Sequence, residues 1–218
     1  MTRLAVFDCD GTLVDGQAAV CDTMEQAFAQ VGATIPDRRE IRRTVGLSLP
    51  FAVRQLAVEG SQADHSRIVE AYKDLFRASR MSGALHEPLY AGMADLLARL
   101  DADGCLLGVA TGKSDRGLQV CLETHGVKAL FVTLQTADRH PSKPHPAMLE
   151  AALSEAGVGA GDAVMIGDTS FDMEMACAAG VRAVGVAWGY HDAEELRDHG
   201  ASAVAETMTE LEALIHGQ

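Results

Sequence analysis

Short apolar runs recur along the chain, each stopped by polar residues and glycine. The first, Leu4 to Phe7, ends at Asp8, Asp10 and Gly11, and others run from Cys105 to Ala110, Leu130 to Leu134, Ala163 to Ile166 and Arg182 to Ala187. Runs of this length without polar alternation predict strands buried on both faces, the condition of a parallel sheet. Between them, apolar residues fall at helical spacing and stop at glycine. Leu118, Cys121 and Leu122 precede Gly126; Leu149, Leu153 and Ala156 run into Gly157; Met173 to Ala179 precede Gly180. A glycine after the last helical residue takes the left-handed cap conformation without a steric penalty. Alternating strand and helix predicts an α/β fold built on a doubly wound parallel sheet.

One connection breaks the rhythm. From Cys9 to Gly104 there are 96 residues between the first two strands, whereas a whole strand–helix–strand unit needs about 30. The insertion has helical spacing: Val20, Met24, Ala27 and Val31 lie on one face before Gly32, Ile41 and Val45 precede Gly46, and Ile68, Tyr72, Leu75 and Phe76 mark a third face. These patterns predict a helical cap domain over residues 15–88, inserted into a core formed by 1–14 and 89–218.

The 218 residues, 48% hydrophobic and 22% charged, fit one globular unit with such an insertion. Charge separates the parts: residues 15–88 hold nine basic and ten acidic side chains, the remainder nine and 21. A total of -13 opposes binding to a phosphate backbone, so no nucleic-acid partner is expected. Five cysteines, odd in number and without a C-x-x-C pair, read as reduced core residues. Met1 to Asp10 lacks the apolar run of a signal peptide and no 18-residue apolar stretch occurs, so a cytoplasmic protein with no membrane span is expected. Oligomeric state leaves no mark in the sequence.

In open α/β sheets ligands bind beyond the carboxyl ends of the strands. There the chain places Asp8, Asp10 and Asp15, then Thr111-Gly112-Lys113-Ser114, then Lys143-Pro144-His145-Pro146, then Asp168 and Asp172. Two apart at a strand end, Asp8 and Asp10 can face one side while Cys9 turns to the core, a spacing suited to a nucleophile and a general acid. Asp168 and Asp172, four apart at a helix start, can meet one ion, the reading favoured over Asp172 as an ordinary first-turn acid facing the helix dipole. Carboxylates packed this closely call for a cation, and donors of this kind favour Mg²⁺. Lys143 and the Thr111 hydroxyl, with backbone N–H groups at Gly112, suit a phosphate. Asp15 reads as a cap for the first inserted helix. Arg38, Arg39, Arg42 and Arg43 either address an anionic organic group or form a solvated face.

In order, Asp8-x-Asp10-Gly-Thr-Leu-Val-Asp, Val109-Ala110-Thr111-Gly112-Lys113, Lys143-Pro144-x-Pro146 and Gly167-Asp168-Thr-x-x-Asp172 resemble the four motifs of the haloacid dehalogenase superfamily, over nearly the whole chain. The early helical insertion is similar to the subgroup containing phosphoglycolate phosphatase, β-phosphoglucomutase and pyrophosphatase-like members. That resemblance implies a Rossmann-like core and a Mg²⁺-dependent phosphatase acting on a small phosphorylated metabolite, 2-phosphoglycolate being the first candidate. It implies that Asp8 forms an aspartyl-phosphate and Asp10 acts as acid and base. Mg²⁺ would be held by Asp8, the Asp10 carbonyl and Asp168, with Asp172 nearby, while Thr111, Gly112 and Lys143 hold the phosphoryl group. The alternatives are a sugar-phosphate mutase or a pyrophosphatase. The mutases place Arg after the serine of the cap loop, where this chain has Leu49 after Ser48. A dehalogenase is disfavoured by Asp10, since members with that activity lack the second carboxylate.

Overall fold

The computed structural model describes residues 2–217. Six strands, β1 (Leu4–Phe7), β2 (Leu106–Thr111), β3 (Phe131–Thr136), β4 (Ala163–Gly167), β5 (Arg182–Val186) and β6 (Ala203–Ala205), form one sheet in the order β3-β2-β1-β4-β5-β6. Every pairing is parallel, with Leu4 opposite Leu106 on one side and Ala163 on the other. The five expected strands are present, β1 at its expected bounds and the other four with one or both ends shifted by one or two residues. β6 is additional: an Ala-Val-Ala edge strand is too short and too weakly apolar to announce itself.

Helices cover both sheet faces, which explains the unbroken apolar runs. Ala5 and Phe7 of β1 pack among residues of α5 (Met93–Ala102), α6 (Asp115–Thr124) and α10 (Met208–His216), including Leu97, Leu122 and Ile215. Leu4 and Val6, one step out of phase, meet α7 (Ala147–Ala156), α8 (Ser170–Ala178) and α9 (Ala193–Asp198) through Leu149, Met173 and Leu196. All four β1 residues are fully buried. At about 1.5–3 kcal/mol for each large apolar side chain removed from water, β1 is held strongly, and so is the backbone that follows it.

Between β1 and α5 lie α1 (Gln17–Val31), α2 (Arg38–Arg43), α3 (Leu49–Leu56) and α4 (Gln62–Met81). Met24, Ile41 and Ile68, at positions the spacing marks, form their shared core with Phe28 and with Val53 of α3, neither of which it marks. Asp37 and Ser61 close capping boxes with Glu40 and Asp64 at the starts of α2 and α4. The insertion is not helical throughout: Ser82 to Pro88 returns to the core without helix. The chain leaves and re-enters the core side by side, Val14 bridging Leu89, with Asp15 N–H donating to Pro88 O (2.8 Å) and Tyr90 N–H to Leu13 O (3.0 Å). The residue directly before α1 is Gly16; Asp15 stands one place earlier and its carboxylate accepts from Gln17 N–H (3.3 Å).

Candidate active site

Asp8 continues β1, its N–H donating to Ile166 O at 2.8 Å, and its side chain is buried. The chain then turns at Gly11, whose N–H donates to Val14 O (2.9 Å). Gly11 sits at φ +84°, and a Cβ there would lie 2.1 Å from Asp168 Oδ2, so both conformation and space require glycine. The turn carries Thr12 under Asp168, and its hydroxyl donates to Asp168 Oδ1 (2.7 Å). Tyr190 N–H donates to the other oxygen (2.9 Å). Asp168 follows β4 and is fully buried, so these two donors fix it at the end of the neighbouring strand.

Asp172 lies in the first turn of α8. Its Oδ2 accepts from Thr169 N–H (3.2 Å) and Thr169 Oγ1 (2.7 Å), and its Oδ1 from Lys143 Nζ (2.6 Å). Lys143 Nζ also stands 2.9 Å from Asp8 Oδ1. One buried ammonium thus joins carboxylates from two elements. Asp8, Asp168 and Asp172 each offer an oxygen within 4.8 Å of the others. Asp8 Oδ1 is thus paired with Lys143, while Asp8 Oδ2 is buried without a partner among the described residues. Three carboxylates against one lysine leave negative charge uncompensated, and an all-oxygen set with a free carboxylate oxygen fits a hard divalent cation such as Mg²⁺.

Burial pushes the Asp8 carboxyl up to about 7, Lys143 pulling it down and Asp172 raising it. Asp168 is held well above the carboxylate range by burial and by the charges of Asp8 and Asp172. For Lys143, burial opposes the charge, but Asp172 and Asp8 outweigh it and the ammonium is held above the ordinary lysine value. Each shift has the sign expected of a dry site short of positive charge.

Asp10 faces elsewhere. Its Oδ1 is 2.9 Å from Lys113 Nζ, which also donates to Glu87 Oε1 at 2.7 Å. Burial raises the Asp10 carboxyl, with Lys113 opposing; Glu87 is held low by Lys113 and Arg80 against its own burial. Thr111 ends β2, buried, its hydroxyl accepting from Lys113 N–H (3.3 Å). The expected site residues therefore share one sheet edge, with Lys113, Glu87, Thr12 and Tyr190 as further members. Lys113 stood in an identified strand-end block without a role; Glu87, on an irregular return segment, carried no pattern.

The insertion closes over this edge through the loop before α3. Leu47 O lies 2.5 Å from where a Cβ on Gly112 would be, and Ser48 N–H donates to Ser142 Oγ (2.8 Å). A cavity of about 480 Å³ remains between insertion and core, lined by Asp8, Asp10, Thr111 and Gly112 on one side and by Met24, Leu47, Tyr72 and Phe76 on the other. The arginine cluster takes its solvated alternative. Arg38 pairs with Asp22 and Glu25 on the surface, Arg43 with Glu195 (2.9 Å), and Arg42 lies over the Tyr190 ring. None of the four lines the cavity. Four cysteines are buried and Cys177 is exposed, all free; among the described residues no helix is long and apolar enough to cross a membrane.

Known proteins share this architecture. A probable phosphatase, IndB, of Dickeya dadantii is 34% identical over 219 residues, covering 99% of this chain and 94% of its own. A phosphoglycolate phosphatase of Pseudomonas fluorescens is 29% identical over 216 residues, covering 97% and 79%. The solved structure of a haloacid dehalogenase-like family hydrolase from Streptococcus pneumoniae superposes with a TM-score of 0.85 at 24% identity, covering 100% of this chain and 99% of that one, and speaks for the fold alone. The family model described as haloacid dehalogenase-like hydrolase matches residues 5–186, from β1 through β5. With the sheet order, the inserted helices and the four strand-end motifs in place, the chain belongs to the haloacid dehalogenase-like hydrolase family.

Proposed function

We propose that the protein is a Mg²⁺-dependent phosphatase that hydrolyses a small phosphorylated metabolite through an aspartyl-phosphate on Asp8. The observation that carries this reading is the Asp8 carboxylate, buried at the wall of a cavity that Asp10 and Thr111 also line, with Oδ1 2.9 Å from Lys143 Nζ and Oδ2 without a partner among the described residues. Its relatives' names point the same way: phosphatase for one, phosphoglycolate phosphatase for another.

Asp8 and Asp168, with the Asp10 carbonyl, would hold Mg²⁺, Asp172 lying beside them and keeping Lys143 in place. The ion would supply charge neutralisation between phosphoryl oxygens and carboxylates. An Asp8 oxygen attacks phosphorus and the bond to the leaving oxygen breaks, Asp10 delivering its proton to that oxygen. Burial of Asp10 supports this by favouring its acid form. Asp10, now ionised, takes a proton from water, which attacks phosphorus and releases phosphate from Asp8. The Thr111 hydroxyl, Gly112 N–H and Lys143 hold the phosphoryl oxygens throughout. Residues 15–88 act as a cap domain that opens for exchange and closes to exclude water, on a core of 1–14 and 89–218.

Phosphate release from p-nitrophenyl phosphate and a metabolite panel, with and without Mg²⁺, tests the reading beside Asp8→Asn. Mg²⁺-dependent turnover lost in the variant is expected. Interconversion of a hexose phosphate without net phosphate release would replace it with a mutase.

A further inference from the structure

Much of the cavity wall lies outside the phosphoryl chemistry. Beyond Asp8, Asp10, Thr111 and Gly112 it includes an apolar stretch of Met24, Val45, Leu47, Tyr72 and Phe76 beside several charged side chains. Tyr72 and Phe76, one turn apart on α4, stack with ring centroids 5.6 Å apart and planes 16° from parallel. Arg80 and Lys113 lie 5.3 and 5.6 Å from the Phe76 ring centre and anchor the pair from the cationic side.

Four of the five cations on this wall have carboxylate partners. Lys113 is bound by Asp10 and Glu87; Arg80 lies 3.5 Å from Glu87, its Nη2 buried without a hydrogen bond among the described residues; half-exposed Arg77 and Lys73 pair with Asp74 and Glu70 along α4. Among the described residues, exposed Arg116 is the remaining cation of the lining. A leaving group bearing a carboxylate would place a second anion against apolar side chains beside two aspartates, which is unfavourable without a dedicated cation. The volume argues likewise. About 480 Å³ falls within the range of sites that enclose drug-sized ligands, whereas a two-carbon acid would leave most of it to water.

We infer that the substrate's leaving group is an uncharged ring system of aryl or nucleoside size, seated against Tyr72 and Phe76, and not a small carboxylic acid. This rests on the phosphatase reading and narrows its substrate class.

The test compares Mg²⁺-dependent kcat/KM of the full chain for uridine 5′-monophosphate, p-nitrophenyl phosphate and 2-phosphoglycolate. Alongside it, calorimetric binding of uridine 5′-monophosphate and 2-phosphoglycolate is measured on Asp8→Asn. At least one ring ester is expected to exceed 2-phosphoglycolate by about tenfold or more. Phe76→Ala should raise KM for that ester about tenfold, equivalent to about 1.4 kcal/mol, with kcat less affected, and Phe76→Tyr should restore it. The two ring esters separate an aryl from a nucleoside preference. Equal or better turnover of 2-phosphoglycolate overturns the inference and leaves the phosphatase standing. Absence of phosphate release from every ester, with the nucleotide still bound tighter than 2-phosphoglycolate, overturns the phosphatase and leaves the ring site standing. Neither turnover nor nucleotide binding overturns both.

Discussion

The carbonyl oxygen of Leu47 occupies the space beside Gly112 where any other residue would carry its Cβ, at 2.5 Å, and the Gly46 carbonyl is nearly as close at 2.8 Å. The inserted helices thus meet the core backbone to backbone next to Thr111. Gly112→Ala cannot be relieved by a side-chain rotation, because the opposing atoms are main chain, so the loop must lift. The contact joins the insertion to the core and lies outside the cores of both, so its loss should disturb the site more than the fold. Gly112→Ala is expected to melt within a few degrees of the parent while losing about 100-fold in kcat/KM, the scale of a misplacement near 1 Å. Steady-state kinetics beside a thermal melt decide it, and unchanged kinetics would mean that this contact is not part of the working state.

Lys143 answers two buried carboxylates, Asp8 at 2.9 Å and Asp172 at 2.6 Å, with no exposure of its own side chain. Breaking a buried pair by removing one partner leaves charge without compensation, at a cost of about 3–5 kcal/mol. Lys143→Met should therefore lower the urea midpoint at neutral pH as well as abolish turnover. A variant that is inactive yet as stable as the parent would show that the carboxylates find another partner.

How much of this was legible in the sequence follows from which interactions are local. The α/β order and the helical insertion could be read because Leu4 to Phe7 is buried on both faces and Met24, Ile41 and Ile68 recur at helical spacing. Asp8, Thr111, Lys143 and Asp168 stood out because the ends of parallel strands share one edge. Glu87 could not be found that way: its role comes from a Lys113 located 26 residues further on, across a return segment without periodicity. The arginines of α2 were ambiguous for a related reason. Their spacing marks a face, but only the packing of α2 against α1 turns Arg38 toward Asp22 and Glu25 and away from the cavity.

Metal removal and pH should be coupled. Burial pushes the Asp8 carboxyl from an ordinary 3.8 up to about 7 and raises Asp10 and Asp168 as well. A carboxyl with a raised folded pKa binds more protons folded than unfolded, so its contribution is fully present below the unfolded value and is lost as pH rises through the folded one. The chelated protein should lose thermal stability as pH rises from about 4 through about 7. Mg²⁺ favours the ionised carboxylates, so it should raise Tm more at about pH 8 than at about pH 5.5. Calorimetry with EDTA or Mg²⁺ at both pH values measures this, and an equal gain at the two would contradict the site's charge deficit.

Lys113 and Glu87 offer a test of the other carboxylate. Lys113 Nζ sits between Glu87 Oε1 at 2.7 Å and Asp10 Oδ1 at 2.9 Å, the Glu87 and Lys113 side chains being less than a tenth exposed. Removing the lysine alone leaves two carboxylates in a desolvated corner, so Lys113→Met should cost about 3 kcal/mol. Removing the Glu87 charge as well relieves part of that repulsion, so Lys113→Met with Glu87→Gln should be more stable than Lys113→Met alone, a coupling of about 1–2 kcal/mol. Activity should not return with stability, because Asp10 has still lost the ammonium that holds it toward the cavity. Denaturant melts of the four members of the cycle, with kcat measured for each, separate the two effects. Recovery of kcat together with stability would show that Lys113 serves the fold and not the placement of Asp10.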